Sequence, residues 1–296
     1  MGLINICVSQ LQGAWPADWS AAAKAEANLR EFKARMREAA TLKPHLIVAG
    51  ETVNHCGMAA SECEPSESVL EGPFYQIASA VAAQHQCYIC YGIAAQYDGA
   101  YRNAAVLLAA AGQLVGTYAK VHLTSNEKAS GLVAGDEFPV FATDLGPIGI
   151  LICHDMSFPE SARSLMLGGA RLLLWPTLWR GWGEQLSYAV IASRCIDNAC
   201  CLVLASVGQD PQDPVWDAAA GIKGRSAIFN AEGQIVAQKA DRCPGVVCGQ
   251  VDPMLDRVAP DFTRGPDDRF RECVLRERRP ECYQRLISPA AGIPPV

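Results

Sequence analysis

Charge is scarce in this chain, and none of it is gathered where a nucleic acid would need it. Asp, Glu, Lys and Arg make up 19% of the 296 residues and leave a net charge of −6. No basic stripe runs along the sequence, which argues against a nucleic-acid partner. The densest basic cluster, Arg276-Glu277-Arg278-Arg279, lies in a mixed-charge tail and reads as a solvated face. There is no unbroken apolar run of the ~20 residues that cross a bilayer, and no charged region leading into an apolar signal core. We therefore expect no membrane partner and a cytoplasmic protein. Histidine is sparse as well. The five residues, His45, His55, His85, His122 and His154, show no metal-ligand spacing, so neither a metal nor another cofactor is expected. No internal repeat is present.

Half of the residues are hydrophobic, enough for a large globular core. The thirteen cysteines are odd in number and irregularly spaced, which suits a reducing compartment and mostly free thiols. Cys87-Tyr88-Ile89-Cys90 has C-x-x-C spacing but sits in a strand-like run, where its two sulfurs face opposite sides.

Apolar periodicity gives strands alternating with helices. A helix is expected over 20–42, with Leu29, Phe32 and Met36 on one face, and others over 73–86, 159–167 and 184–198. Strands are expected over 3–8, 45–48, 87–94, 103–109, 113–118, 148–152, 171–175, 201–206, 227–229, 234–237 and 246–251. Crossovers mixed with hairpins predict an α/β protein with a mixed sheet and helices packed on it. From Pro253 onward periodicity vanishes. The expected division is a domain over 1–252 and an extension over 253–296 that wraps the body or a partner subunit.

Three strand ends carry chemistry. Cys153 follows the apolar run Gly149-Ile150-Leu151-Ile152 and precedes Pro159-Glu160, which suit the first turn of a helix. Open α/β sheets place their sites outside the C-terminal ends of strands, and a helix N-terminus favours a thiolate. Glu51 ends the run Leu46-Ile47-Val48-Ala49-Gly50, and Lys120 ends Gly116-Thr117-Tyr118-Ala119. A carboxylate can take the thiol proton, and an ammonium can neutralise charge developing on a carbonyl oxygen. His154 is a poor base for the adjacent thiol, because neighbouring strand side chains point apart. His122, two residues from Lys120, is assigned to holding the loop.

Taken together, these segments resemble the nitrilase superfamily of carbon–nitrogen hydrolases over roughly residues 3–252. The resemblance rests on the Glu51 strand end, AKVHL (119–123), GILICHDMSFPE (149–160), GGARLLLWPT (168–177), SRCIDNACCLVLASVG (193–208) and GRSAIFNAEGQIVA (224–237). It implies a four-layer α-β-β-α sandwich with mixed sheets and a homodimer or larger homo-oligomer. It further implies Glu51 as general base, Cys153 as nucleophile, and an oxyanion hole of Lys120 and the backbone N–H of His154. Within TSNEKASGLVAGDEFPVF (124–141), Glu127 fits the family's further acidic residue, which orients the scissile nitrogen and tunes Lys120. Glu137 is the competing choice.

Departures from the family pattern narrow the expected chemistry. Gly50 stands where many members carry Pro before the base. Cys153-His154-Asp155 replaces the Cys-Trp-Glu frequent in true nitrilases, which favours an amide over a nitrile. Met156, Ser157 and Phe158 stand where carbamoyl-amino-acid hydrolases often carry Arg. The expected partner is thus a small-molecule amide, with carbamoyl-amine hydrolase and nitrilase as alternatives and a non-catalytic binding protein as the contrasting class. Tyr118, Trp175, Thr177 and Trp179 are candidate substrate-binding residues. For the cluster Trp175, Trp179 and Trp182, an apolar wall and simple packing stand about even, while Arg180 reads as solvated.

Overall fold

The structure, a computed structural model, describes residues 2–63, 68–178, 181, 183–208, 223–256 and 269–288. Among them the chain runs β1 (Ile4–Gln10), α1 (Ala21–Thr41), β2 (Leu46–Ala49), α2 (Pro73–His85), β3 (Tyr88–Tyr97), β4 (Ala100–Leu108), β5 (Leu114–Ala119) and α3 (Ser125–Ala129). It continues through β6 (Val140–Phe141), β7 (Ile148–Ile150), a 3-10 turn (Cys153–Ser157), α4 (Pro159–Leu167), β8 (Leu172–Thr177) and α5 (Glu184–Asn198). The last elements are β9 (Cys201–Ser206), β10 (Ala227–Phe229), β11 (Ile235–Gln238), β12 (Gly245–Val251) and α6 (Phe270–Glu277).

Two compact units partition the chain, Met1–Leu255 and Asp256–Val296. All twelve strands belong to the first and form two six-stranded sheets, ordered β12-β1-β2-β3-β4-β5 and β11-β10-β9-β8-β7-β6. Each sheet is mixed. β1, β2 and β3 are parallel, as are β7, β8 and β9, and antiparallel strands flank both sets. The three parallel strands of each sheet are apolar on both faces because both faces are covered.

One apolar cluster joins the sheets face to face. Ile6, Val8, Leu46, Val48 and Leu107 come from the first sheet, and Ile148, Ile150, Leu172, Leu174 and Val203 from the second. A second cluster lies on the outer face of the first sheet, where Phe32 and Met36 of α1 and Phe74, Ala78 and Val81 of α2 cover Ile47, Ile89 and Tyr91. Helices α4 and α5 pack on β7 and β9 from the other side. The four-layer α-β-β-α sandwich follows directly. Cys87 and Cys90 fall in different clusters, so their sulfurs do face opposite ways.

Local signals set the helix starts. The Ser20 hydroxyl accepts from the Ala23 N–H to cap α1, and Pro73 and Pro159 begin α2 and α4. Some boundaries differ from expectation. β3 and β4 run on past Ala94 and start before Asn103, to meet at Asp98-Gly99, where both residues have positive φ as a tight hairpin requires. Strand β7 stops at Ile150, although the Leu151 N–H still donates to the Leu174 carbonyl at 2.9 Å. The region after Pro253 is not without periodicity: α6 forms there with Arg271 and Cys273 buried.

β1 pairs antiparallel with β12, Ile4 opposite Val251, so the first and last strands of the first unit are neighbours. Cys7 and Cys248 face each other in that ladder and form a disulfide; the other eleven cysteines are free.

Phe32 is fully buried, with ring centroids 5.1 Å from Phe74 and 5.2 Å from Tyr91. Phe32→Ala should cost about 3–5 kcal/mol of stability. Urea unfolding checks this, and a loss below about 1 kcal/mol would show that α1 is not fixed by this contact.

Candidate active site

Glu51 leaves β2 at the point where the backbone crosses the middle of β3. The Gly92 N–H donates to the Gly50 carbonyl, and the Val53 N–H donates to the Gly92 carbonyl, both at 2.9 Å. A Cβ at position 92 would lie 2.7 Å from the Cα of Glu51, closer than real contacts allow, so glycine lets these backbones meet. Asn54 then clasps β3, donating to the Ala94 carbonyl at 2.7 Å and accepting from the Ala94 N–H at 3.1 Å. Asn28 of α1 donates to the Asn54 and Cys56 carbonyls at 3.0 Å. The carboxylate is thus carried on a loop stitched to a central strand and to a helix.

Lys120 leaves β5 and is 1% exposed. Its Nζ donates to Glu51 Oε1 at 3.0 Å and to Glu127 Oε1 and Oε2 at 2.8 and 2.9 Å. Burial alone would lower the lysine, but the charges of Glu51, Cys153 and Glu127 outweigh it and hold the ammonium above its ordinary pKa. Glu127 sits in the first turn of α3. Its Oε2 accepts from the N–H and the hydroxyl of Thr124, both at 2.8 Å, in a capping box. Burial pushes Glu127 up, yet Lys120, Asn103 and Thr124 together keep it below its usual value.

Asn103, on β4, was not anticipated. Its Nδ2 donates to Glu51 Oε1 and Glu127 Oε1, each at 2.7 Å. The group is a closed buried cluster of two carboxylates, one ammonium and one amide. The only sequence signal was a polar residue at the head of the apolar run Ala104 to Leu108.

Cys153 begins the 3-10 turn with φ 43°, a left-handed conformation rare for a residue bearing Cβ. Asp155 stabilises this turn. Its Oδ2 accepts from the Ile152 N–H at 2.9 Å and the Tyr118 hydroxyl at 2.6 Å, and its Oδ1 accepts from the His122 N–H at 3.0 Å. The His122 ring puts Nδ1 2.9 Å from that same Oδ1 and stacks on Phe158 at 3.8 Å, which fits a structural role. Trp175 Nε1 donates to the Cys153 carbonyl at 3.1 Å.

The Cys153 thiol shares one cavity wall with Glu51 and Lys120. The expectation of a thiolate favoured by a helix terminus does not hold. Burial, then the Glu51 charge, raise the thiol well above its ordinary pKa, and Lys120 and Thr177 offset only part of that. A short 3-10 turn also offers little dipole. The free site therefore holds a neutral thiol beside Glu51.

Glu51, Asn103, Lys120, Glu127 and Cys153 all line one cavity of about 420 Å³. The structure thus brings together the four side chains singled out from the sequence. Other assignments change. Tyr118 is 1% exposed with its hydroxyl on Asp155, so it supports the turn, and it is not among the residues lining this cavity. Trp175 and Thr177 are fully buried, and Trp175 donates to the Cys153 carbonyl. Trp179, Arg180 and Trp182 lie outside the described residues. Glu137 is exposed, leaving Glu127 as the acidic partner. The His154 ring packs edge-on to Phe158, with Nδ1 3.2 Å from the Ser157 hydroxyl. Burial, Lys120 and His122 lower its pKa. No group of three or more His, Cys, Asp or Glu among the described residues could hold a metal.

Comparison with known proteins bears on the family and the fold. The chain matches the carbon-nitrogen hydrolase family over residues 6–259. It is 31% identical over 252 residues to a probable nitrilase of Schizosaccharomyces pombe, covering 84% of this chain and 85% of that one. It is 27% identical to the omega-amidase of Homo sapiens, covering 84% and 88%. An amidase mutant from Nesterenkonia sp. AN1, solved with acrylamide added at its active-site cysteine, superposes with a TM-score of 0.73. That superposition covers 96% of this chain and 99% of the other at 20% identity, a likeness of fold.

Asp155→Asn removes the charge that three donors share, and should destabilise the protein by about 1–3 kcal/mol. Thermal or urea unfolding reads this, and an unchanged midpoint would remove Asp155 as the support of the turn. A second test concerns pH. Because the folded Glu127 pKa lies below the ordinary 4.5, its contribution is complete above that value and is lost as pH falls through the lower folded one. Unfolding free energy measured from pH 6 downward should decline more steeply in the native protein than in Glu127→Gln. Parallel curves would contradict the Lys120–Glu127 coupling.

Proposed function

The chain belongs to the carbon–nitrogen hydrolase family, and we propose that it hydrolyses a small amide to an acid and ammonia through a thioester on Cys153. The observation that carries this reading is that Cys153 and Glu51 line one cavity with Lys120, whose ammonium donates to both Glu51 and Glu127.

Counting donors separates the two carboxylates. Glu127 receives Lys120 on both oxygens, together with Asn103 and two donors from Thr124. Every lone-pair direction is taken, so it is a poor proton acceptor. Glu51 receives Asn103 and Lys120 on Oε1 and the Leu178 N–H on Oε2, and it adjoins the sulfur. Glu51 is therefore the base, and Glu127 holds the ammonium.

With both carboxylates ionised, the two acids and Lys120 carry one net negative charge. Moving the thiol proton to Glu51 relocates that charge without adding to it. The proton transfers as sulfur attacks the amide carbonyl, forming the C–S bond while the carbonyl electron pair moves onto oxygen. Lys120 and the His154 N–H receive that oxyanion. The latter lies in the first turn of the 3-10 segment, where backbone donors lack an intrahelical acceptor. Collapse breaks the C–N bond, and Glu51 delivers its proton to the departing nitrogen. Glu51 then takes a proton from water as the hydroxide adds to the thioester. The C–S bond breaks, the acid leaves, and Glu51 reprotonates the sulfur.

An ammonia-release screen over amides, carbamoyl amines and nitriles tests the reading, with amides expected to turn over best. Cys153→Ala should lose activity by roughly ten-thousand-fold or more. Glu51→Gln should slow formation of the acyl-enzyme, seen as mass added to the intact protein, by roughly a hundredfold or more. Near-native turnover by Cys153→Ala would end the thioester account.

A further inference from the structure

The cavity wall beyond the charged cluster is made of uncharged groups. Tyr101 and Asn103 are two residues apart on β4, so their side chains share a face, and their Cα atoms lie ~7 Å apart along the strand. Asn103 touches both carboxylates, and Tyr101 is one pleat further out. Opposite it stands His55, four residues beyond Glu51 on the loop clasped to β3, with Nδ1 3.4 Å from the Tyr101 hydroxyl. Both side chains line the cavity, together with Met58, Cys63 and Leu132.

Backbone contacts hold both residues in place. The His55 N–H donates to the Thr52 carbonyl, and the Tyr101 carbonyl accepts from the Val133 N–H, each at 2.8 Å. Burial lowers His55 to about 4 and raises Tyr101 to about 12, so both are neutral across the physiological range. A neutral imidazole has one donor and one acceptor, and a phenol hydroxyl can act as either.

We propose that His55 and Tyr101 form the subsite for the far end of the acyl group, and that this end is an uncharged hydrogen-bonding group such as a carboxamide or a hydroxyl. A carboxylate there would shed its water without a cation to replace it. Lys120 is the one Lys or Arg among the described lining residues, and Glu51 and Glu127 already hold it. The inference rests on the amide-hydrolase reading and names the substrate class that reading leaves open.

The test is ammonia release from three amides of matched length: pentanamide with a methyl end, glutaramide with a carboxamide end, and the half-amide of glutaric acid with a carboxylate end. The native protein should show its highest kcat/KM with glutaramide and its lowest with the half-acid. Tyr101→Phe and His55→Leu should each lower the glutaramide-to-pentanamide ratio of kcat/KM, by about tenfold for the loss of one buried hydrogen bond. Taking the ratio cancels any loss common to all the amides. Preference for the half-acid, or ratios in both variants within about twofold of the native protein, would overturn the subsite. Absence of ammonia from all three would overturn the amide-hydrolase reading, and the subsite with it.

Discussion

The ammonium of Lys120 lies almost out of reach of water between Glu51 and Glu127, and the geometry of the site follows from keeping it there. A lone charge at that depth would be expelled or neutralised, and one carboxylate would leave little freedom for that carboxylate to do anything else. Two acids divide the task. Glu127, saturated with donors by the cap of α3, provides the permanent counter-charge. Glu51 keeps a carboxylate beside the sulfur. Asn103 bridges the two and hydrogen-bonds the faces that would otherwise repel. Three strand ends and one short helix must therefore arrive together, which fixes how the first sheet, with Glu51 and Lys120, meets the second, with Cys153.

The same economy governs the turn that carries the thiol. Cys153 occupies a left-handed backbone conformation, and Asp155, fully buried two residues later, offsets that cost by accepting from Ile152 in its own segment and from Tyr118 and His122 at the end of β5. Aromatic groups often taken for substrate contacts serve this turn from behind: Trp175 on the Cys153 carbonyl, Tyr118 on Asp155, Phe158 under His122. The wall that faces the cavity is drawn instead from the loop after Glu51 and from the outer end of β4.

Much of this was legible in the sequence because strands that end in chemistry leave a mark. An apolar run terminated by one reactive side chain singled out Glu51, Lys120 and Cys153, and the alternating elements gave the helices and a mixed sheet, while the four layers came from the family resemblance. What escaped was any role defined by a distant partner. Asn103 and Asp155 look like ordinary polar residues until the segments they bridge, dozens of residues away, are adjacent. The direction of the Cys153 titration was misread for a related reason: local sequence suggested a helix terminus, whereas burial beside a carboxylate decides the balance. The hairpin at Asp98-Gly99 was not read, because its strands extend further than their apolar cores. In the tail, α6 lacks the long apolar stripe from which the other helices were recognised.

The pairing of β1 with β12 has a topological corollary. Ile4 and Val251 are ladder partners, and Cys7 and Cys248 fasten the same ladder, so the beginning and end of the first unit are already side by side. That unit is in effect a ring with a cut in it, and the position of the cut is incidental to its architecture. A short peptide joining those two ends, with new termini opened at the Asp98-Gly99 tip, would yield a circularly permuted chain with every ladder of both sheets intact.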